Sequence, residues 1–143
     1  MRAREIMSTP TIAVTPAATL REAATVMFAR GFTSLPVIDP DGRLLGVLSD
    51  VDVLRELCRA GAPDSGSALE GWTRTAGSAM GPGPAVAAST RVHDLANRMA
   101  ELGTRSLPVV EEGLVVGMVT LRDVLAALTG AHERLRPTAR RRL

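Results

Sequence analysis

Two pairs of side chains in this sequence have the types and the spacing to hold a nucleotide. Ser49 precedes Asp52 by three positions, and Thr120 precedes Asp123 by the same interval. Each hydroxyl ends an apolar run typical of a strand, and each aspartate falls in the first turn of the helix predicted next. The free N–H groups of a helix start attract phosphate, and a carboxylate accepts hydrogen bonds from vicinal ribose hydroxyls. The pattern is therefore compatible with a nucleotide site at each junction.

The same pattern has a purely structural explanation. Serine or threonine followed at the third position by an acid is also a capping box, in which both side chains bind the N–H groups of their own helix start. Spacing alone leaves the two interpretations about equally open.

The two junctions differ in charge. Arg122 precedes the second aspartate, whereas Val51 precedes the first, and Asp50 directly follows Ser49. A guanidinium pairs bidentately with phosphate, valine does not, and a carboxylate facing the cleft repels phosphate. We therefore expect the Asp123 junction to bind a phosphorylated ligand better than the Asp52 junction.

Residues for catalysis or metal binding are sparse. The chain has no lysine, which excludes Schiff-base and P-loop chemistry. His93 and His132 lie far apart without cysteine partners, and Cys58 is the single cysteine. We predict that the chain is not an enzyme and holds no metal.

An internal repeat positions both junctions. The segment from Leu20 to Ile38 matches the segment from Val92 to Val110, and Ser-Leu-Pro-Val occurs in both. Such self-similarity indicates two copies of one unit. Each copy predicts a strand, a helix, two antiparallel strands and a second helix. The predicted bounds are 11–15, 20–30, 35–38, 44–48 and 50–60 in the first copy, and 84–88, 92–102, 107–110, 114–119 and 121–129 in the second.

The first helix of each copy has an apolar stripe and clear end signals. Thr19 with Glu22 forms a capping box, and Gly31 and Gly103 stand where a left-handed residue ends a helix. The stripe predicts these core-facing residues: Leu20, Ala23, Ala24, Met27 and Phe28 in the first copy, and Val92, Leu95, Ala96, Met99 and Ala100 in the second.

The predicted fold class is α+β, with two tandem β-α-β-β-α repeats packed with pseudo-two-fold symmetry. Each unit is too small to be stable alone, so the two are expected to pack together. Residues 1–60 form the first repeat, 61–75 a connection, 76–130 the second repeat and 131–143 a basic, flexible tail. Trp72 in the connection is predicted to be a packing anchor.

Composition limits the partners. Hydrophobic residues make up 45% of the chain, with no apolar run long enough to cross a membrane and no signal-peptide pattern, so we expect a soluble, cytoplasmic protein. Aromatic residues make up only 2%, and the arginine run of the tail is short, so nucleic acid is an improbable partner.

Four features together resemble a CBS-domain pair, the Bateman module named after cystathionine β-synthase. They are the Met-Ser-Thr-Pro opening at 7–10, the Ser-Leu-Pro-Val segment, the Gly-x-x-Ser/Thr-x-x-Asp junction and the tandem duplication. The resemblance covers residues 1 to about 130.

The resemblance implies clefts between the repeats that bind AMP, ADP, ATP or S-adenosylmethionine. Asp52 and Asp123 would hold ribose, and Ser49 and Thr120 would face phosphate, with Arg122 beside the second. Arg105 would either reinforce that phosphate site or simply be solvated. The base would lie against Thr33, Ser34, Leu35, Pro36, Thr104, Arg105, Ser106, Leu107 and Pro108, with Ile12 and Ala85 closing the pocket.

The resemblance also implies a regulatory role without a catalytic domain, in which bound nucleotide favours one arrangement of the repeats and alters a surface read by a partner protein that the sequence does not identify. Members of the family commonly form homodimers through their helices. The apolar residues that could form such a face are Val53, Leu54, Leu57, Val124, Leu125 and Leu128. The alternative function is a ligand-free interaction scaffold whose Ser/Thr-x-x-Asp motifs are only helix caps.

Overall fold

The computed structural model describes residues 1–9, 11–59 and 71–130, and in these it has the predicted α+β repeats. The first repeat contains α2 (Leu20–Arg30), β1 (Ser34–Ile38), β2 (Leu44–Ser49) and α3 (Asp50–Arg59). The second contains β3 (Val86–Ala87), α5 (Val92–Leu102), β4 (Ser106–Glu111), β5 (Leu114–Thr120) and α6 (Leu121–Leu128). Two four-residue helices that the sequence did not predict, α1 (Ala3–Ile6) and α4 (Ala76–Ala79), precede the repeats.

Local signals place the first helix of each repeat as predicted. The Thr19 hydroxyl accepts a hydrogen bond from the Glu22 N–H at 3.1 Å, and the Glu22 carboxylate accepts one from the Thr19 N–H at 3.3 Å. Gly31 and Gly103 end α2 and α5 in the left-handed conformation, with φ of 69° and 63°. A residue with a Cβ is strained there, which explains glycine at both positions.

Both hairpins are antiparallel, as predicted, and share one register. Ser34 pairs with Ser49 in the first hairpin and Ser106 with Thr120 in the second, and each hairpin has one irregularity at the same point of its first strand. The register brings each hydroxyl residue to the edge where the following helix begins.

The predicted opening strand forms only in the second repeat, and there over only two of its five predicted residues, Val86 and Ala87. There β3 pairs in parallel with β4, whereas residues 11–15 contribute a single bridge between Val14 and Val37. The sheets therefore have two strands in the first repeat and three in the second. Pro16 follows this stretch and lacks the N–H that would extend the pairing.

The apolar stripe of the first helices is narrower than predicted. Leu20, Ala23 and Met27 are buried, but Phe28 is 93% exposed, and its counterpart Ala100 is also exposed. The eighth residue after Leu20 is rotated by roughly 80° around the helix, because each residue advances by about 100°. The prediction that Phe28 and Ala100 face the core was wrong.

Each repeat has its own hydrophobic core. The first is built around residues shared by α2, β1, β2, α3 and α4: Leu20, Ala23, Met27, Leu35, Val37, Leu48, Val53 and Ala76. The second is built around Ala3, Ile6, Val86, Ala88, Val92, Leu95, Met99, Leu107, Val109, Val119 and Val124. Trp72 packs against the first core and acts as the predicted anchor.

The segment leading into each repeat packs on the other repeat. Ala3 and Ile6 of α1 belong to the second core, and Ala76 of α4 belongs to the first. Each leading segment also forms a backbone bridge to a strand of the other repeat. Ser8 pairs with Met118, and Gly81 pairs with Val47. Because the segments cross over in both directions, the two repeats are tied together at two related places.

Two glycines of the junction motif make this crossover possible. A Cβ on Gly46 would lie 2.7 Å from the Gly81 carbonyl oxygen, and one on Gly117 would lie 2.6 Å from Met7 Sδ and 3.0 Å from the Ser8 carbonyl oxygen. Side-chain atoms do not fit at such distances. The glycine of Gly-x-x-Ser/Thr-x-x-Asp is therefore required by packing.

An ion pair between a buried glutamate and a half-exposed arginine joins the segment before α4 to α3. Glu56 is only 5% exposed, and its Oε1 accepts a hydrogen bond from the Arg74 guanidinium at 2.6 Å. The Arg74 carbonyl in turn accepts a hydrogen bond from the Leu20 N–H at 2.8 Å.

Parts of the predicted connection and tail, residues 61–70 and 131–143, lie outside the described residues, as does His132. Within the described ranges, no helix combines the length and apolar character needed to cross a bilayer.

The close packing at Gly46 gives a stability prediction. We expect Gly46→Ala to lower the free energy of unfolding by about 1–3 kcal/mol, because the added methyl group meets a backbone carbonyl that cannot move away cheaply. Urea denaturation followed by circular dichroism measures the change. Gly81→Ala is the matched control, since nothing lies within 4 Å of a Cβ there. Equal stability of the two variants would contradict this account of the crossover.

Candidate functional site

A cleft with a volume of about 450 Å³ lies where the start of α6 faces the loop before β1. We call it the Arg122 cleft. One wall comes from the second repeat and includes Thr120, Leu121 and Arg122, and the opposite wall comes from the loop before β1. Its remaining lining includes the apolar side chains of Phe32, Met118 and Leu125.

A second cleft, of about 340 Å³, lies at the start of α3 and is called the Asp50 cleft. It is lined by Ser49, Asp50 and Val51 of the first repeat and by the loop from Gly103 to Ser106 of the second. These residues occupy positions equivalent to those of the Arg122 cleft after exchange of the two repeats. The two clefts are therefore related by the pseudo-two-fold symmetry of the chain.

The clefts share one wall. Thr33, Ser34, Arg105 and Ser106 line both of them. The hydroxyls of Ser34 and Ser106, equivalent residues of the two repeats, form a short hydrogen bond with each other. This contact joins the starts of β1 and β4 and separates the two clefts.

Both Ser/Thr-x-x-Asp motifs form capping boxes, as the structural interpretation of the motif predicts. Oδ2 of Asp52 accepts a hydrogen bond from the Ser49 N–H at 2.9 Å, and Oδ2 of Asp123 accepts one from the Thr120 N–H at 2.9 Å. The hydroxyls of Ser49 and Thr120 accept the reciprocal bonds from the two aspartate N–H groups, at 3.0 and 3.2 Å.

The second carboxylate oxygen distinguishes the two aspartates. Oδ1 of Asp52 accepts a hydrogen bond from the Arg55 guanidinium at 3.3 Å. Oδ1 of Asp123 has no hydrogen-bond partner among the described residues, and Ala126 stands where the first repeat has Arg55. The cap therefore leaves Asp123 one oxygen with which to accept a hydrogen bond from a ligand.

The two clefts differ in charge. The Arg122 cleft is lined by two exposed cationic residues, Arg105 and Arg122, and its described lining contains no carboxylate. The Asp50 cleft is lined by one cation, Arg105, and one anion, Asp50. In the described part of the chain, neither Arg105 nor Arg122 has an ion-pair partner. Two uncompensated guanidinium groups in one concave site favour an anionic ligand.

The sequence-predicted site residues fall into two groups. Those that line one or both clefts are Thr33, Ser34, Ser49, Thr104, Arg105, Ser106, Thr120 and Arg122. Those that line neither cleft are Ile12, Leu35, Pro36, Asp52, Ala85, Leu107, Pro108 and Asp123. Leu35, Pro36, Leu107 and Pro108 are almost fully buried. Leu35 and Leu107 belong to the two hydrophobic cores, and the prolines that follow them are covered as well.

Sequence reasoning missed several lining residues. Ser8, Phe32 and Met118 line the Arg122 cleft, and Asp50 with Val51 lines the other. Ser8 belongs to the Met-Ser-Thr-Pro opening, and the motif itself does not indicate that this segment packs against the second repeat. Met118 lies between Gly117 and Thr120 of the junction motif and could have been found from that position. The part of the chain that the structure describes has no cluster of three His, Cys, Asp or Glu residues that could hold a metal ion.

Comparisons with known proteins agree with the fold. A family model for the CBS domain matches residues 3–59 and 76–130. Hypoxic response protein 1 of Mycobacterium tuberculosis is 33% identical over 123 residues, covering 85% of this chain and 81% of that protein. The chain also matches an A-adding tRNA nucleotidyltransferase of Aquifex aeolicus with 28% identity over 94% of this chain, but it spans only 15% of the length of that enzyme.

Two solved structures are similar over most of their length. A crystal structure of Hypoxic Response Protein I with two coordinated zinc ions has a TM-score of 0.74 at 32% identity, with 87% of this chain and 97% of that chain covered. CBSX2 from Arabidopsis thaliana, solved in complex with AMP, has a TM-score of 0.76 at 28% identity, with 90% and 97% covered. With both repeats matched in sequence and in fold, the chain belongs to the CBS domain family, as a tandem pair of CBS domains.

Proposed function

We propose that the chain is a regulatory module that binds an adenosine-containing ligand, with the Arg122 cleft as the site for a phosphorylated one. The observation that carries this proposal is that two arginines, Arg105 and Arg122, line one cleft and have no ion-pair partners among the described residues. Helix capping accounts for the Ser/Thr-x-x-Asp motifs but gives no reason for two uncompensated cations in a concave site.

The lining of the Arg122 cleft suits the parts of a nucleotide. The phosphate would pair with Arg122 and Arg105 near the N-terminus of α6, where the Thr120 hydroxyl also lies. Asp123 follows Arg122 without lining the cleft, and its unpartnered Oδ1 would accept a hydrogen bond from a ribose hydroxyl that extends beyond the lining residues. Phe32, Met118 and Leu125 provide apolar surface for the base. A volume of about 450 Å³ lies in the range common for small-molecule sites.

Relatives support the ligand class. CBSX2, which is similar over 90% of this chain, was solved in complex with AMP. We extend this to AMP, ADP, ATP or S-adenosylmethionine as candidate ligands of this chain.

Regulation would follow from the position of the clefts. Both repeats contribute walls to each cleft, so a bound ligand contacts the two repeats together. It would favour one relative arrangement by its differential affinity for the alternatives, and a partner protein would bind the surface that changes. The exposed, unpaired Cys58 is compatible with the reducing cytoplasm, where we propose that the module acts.

We further propose that the chain forms a homodimer through its helices. Phe28 is 93% exposed, Leu54 62% and Leu125 54%. Phe28 lines a groove of about 490 Å³ between α2 and α3, and Leu125 lines one of about 430 Å³ between α5 and α6. Large apolar side chains exposed in both repeats are typical of an interaction surface.

Ligand binding predicts a thermal shift. AMP at about 100 times its dissociation constant should stabilise the folded chain by about 2.7 kcal/mol, and the melting temperature should rise by several degrees. Differential scanning fluorimetry with AMP, ADP, ATP and S-adenosylmethionine measures this. The scaffold alternative expects no shift with any of the four compounds.

The aspartates give a matched pair of variants. Asp123→Ala and Asp52→Ala each remove the carboxylate that accepts the N–H of Thr120 or Ser49, and each leaves the hydroxyl half of the capping box in place. Each should cost about 0.5–1.5 kcal/mol of stability, and Asp52→Ala also loses the exposed pair with Arg55. For AMP, we expect calorimetric titration to show a loss of about tenfold or more in affinity for Asp123→Ala and a smaller loss for Asp52→Ala. Unchanged affinity in Asp123→Ala would count against the proposed ribose contact.

The dimer predicts a shift in oligomeric state. Replacing the most exposed apolar side chain of α2, in Phe28→Asp, should raise the dimer dissociation constant by about tenfold or more, because a charge would be buried at the interface. Sedimentation velocity at micromolar concentration measures this. Leu45→Asp is the control, since Leu45 is exposed on β2 outside these helical grooves. A monomeric wild-type chain, with or without nucleotide, would exclude the dimer.

A further inference from the structure

Arg105 is a cationic residue that lines both clefts. Its carbonyl oxygen accepts a hydrogen bond from the Leu121 N–H at 2.7 Å, which fixes its backbone at the start of α6. Arg105 lines both the Arg122 cleft and the Asp50 cleft, and no described residue forms an ion pair with it. The two clefts therefore share this cationic residue.

The remaining charges of the clefts are opposite. In the Arg122 cleft, Arg122 stands where the other cleft has Val51, and the neutral Leu121 stands where the other has Asp50. The Asp50 carboxylate accepts a hydrogen bond from the Val51 N–H at 2.8 Å. Apart from Arg105, the Asp50 cleft has no cation in its described lining.

Because of these charges, the two clefts should differ in their affinity for a second anion once a phosphate occupies the Arg122 cleft. A phosphate in the Arg122 cleft pairs with Arg122 and attracts Arg105 as well, because two guanidinium groups bind an anion better than one. Arg105 is then withdrawn from the Asp50 cleft, where the Asp50 carboxylate is left as the only charge of the described lining. A second anion is repelled there, whereas a cation is attracted.

Resting on the proposed nucleotide function, we infer that one chain binds one phosphorylated adenosine ligand, in the Arg122 cleft. The Asp50 cleft takes a cationic adenosine derivative, of which the sulfonium nucleoside S-adenosylmethionine is the probe. The two ligands are coupled through Arg105: AMP in the first cleft tightens the sulfonium nucleoside in the second, and the coupling is reciprocal. The chain would then respond to the combination of two metabolite classes.

The test is calorimetric titration of the whole chain with AMP, and of the AMP-saturated chain with S-adenosylmethionine. In the wild type we expect one AMP per chain, a second AMP at least about tenfold weaker, and S-adenosylmethionine binding about tenfold tighter with AMP than without it. Asp50→Asn should change the two ligands in opposite directions, strengthening the second AMP and weakening S-adenosylmethionine. Arg105→Gln should weaken the first AMP and make S-adenosylmethionine binding independent of AMP.

Matched controls separate these effects from net charge. Asp41→Asn and Arg98→Gln make the same charge changes at exposed positions that line neither cleft, and both should behave as the wild type. Two equal and independent AMP sites in the wild type, or an Asp50→Asn variant with unchanged binding of both ligands, would overturn the division of ligands while leaving the proposed nucleotide function intact. Absence of binding by AMP, ADP, ATP and S-adenosylmethionine would overturn the nucleotide function itself, and the division with it.

Discussion

Close backbone contact at Gly46 and Gly117 is the constraint on which the arrangement of this chain depends. At each glycine a strand of one repeat meets the segment that leads into the other repeat, and a Cβ at either position would lie within 3 Å of atoms of that segment. The contact allows the backbone pairs between Ser8 and Met118 and between Val47 and Gly81. Since the leading segments also supply Ala3, Ile6 and Ala76 to the cores of the opposite repeats, neither core is complete without the crossover. The clefts are the spaces left between repeats that are held together in this way.

Duplication gave the two clefts one scaffold, and a few substitutions made them chemically different. Both have a capped helix start, a hydroxyl residue at the strand end and a shared wall at the hydrogen-bonded Ser34 and Ser106. The charges at equivalent positions differ. Arg122 corresponds to the neutral Val51, and the neutral Leu121 corresponds to the acidic Asp50. The capping box at Asp123 uses one carboxylate oxygen and leaves the other without a partner among the described residues. At Asp52 the second oxygen is already bound by Arg55.

Local structure was largely predictable because its causes lie within a few residues of each other. The capping box of Thr19 and Glu22, the left-handed glycines and the antiparallel hairpins are all short-range features, and all were confirmed. Phe28 was misassigned because an apolar residue at the edge of a helical stripe faces the core or the solvent according to how wide the neighbouring surface is. The ion pair of Glu56 and Arg74 was not predictable either, since its members lie 18 residues apart and one of them looks like an ordinary surface acid.

The amino-acid sequence by itself determined that there are two similar units, which elements each contains, and where the hydroxyl, aspartate and arginine residues of the junctions stand along the chain. Periodicity, turn residues and repetition are readable without knowledge of distant contacts. Only the tertiary structure decided that residues 1–9 pack on the second repeat, that Arg105 lines both clefts and that Leu35 and Leu107 face the cores. The physical reason is that these outcomes depend on which surfaces meet, and burial of apolar area and close backbone approach select one pairing of surfaces from the whole folded chain.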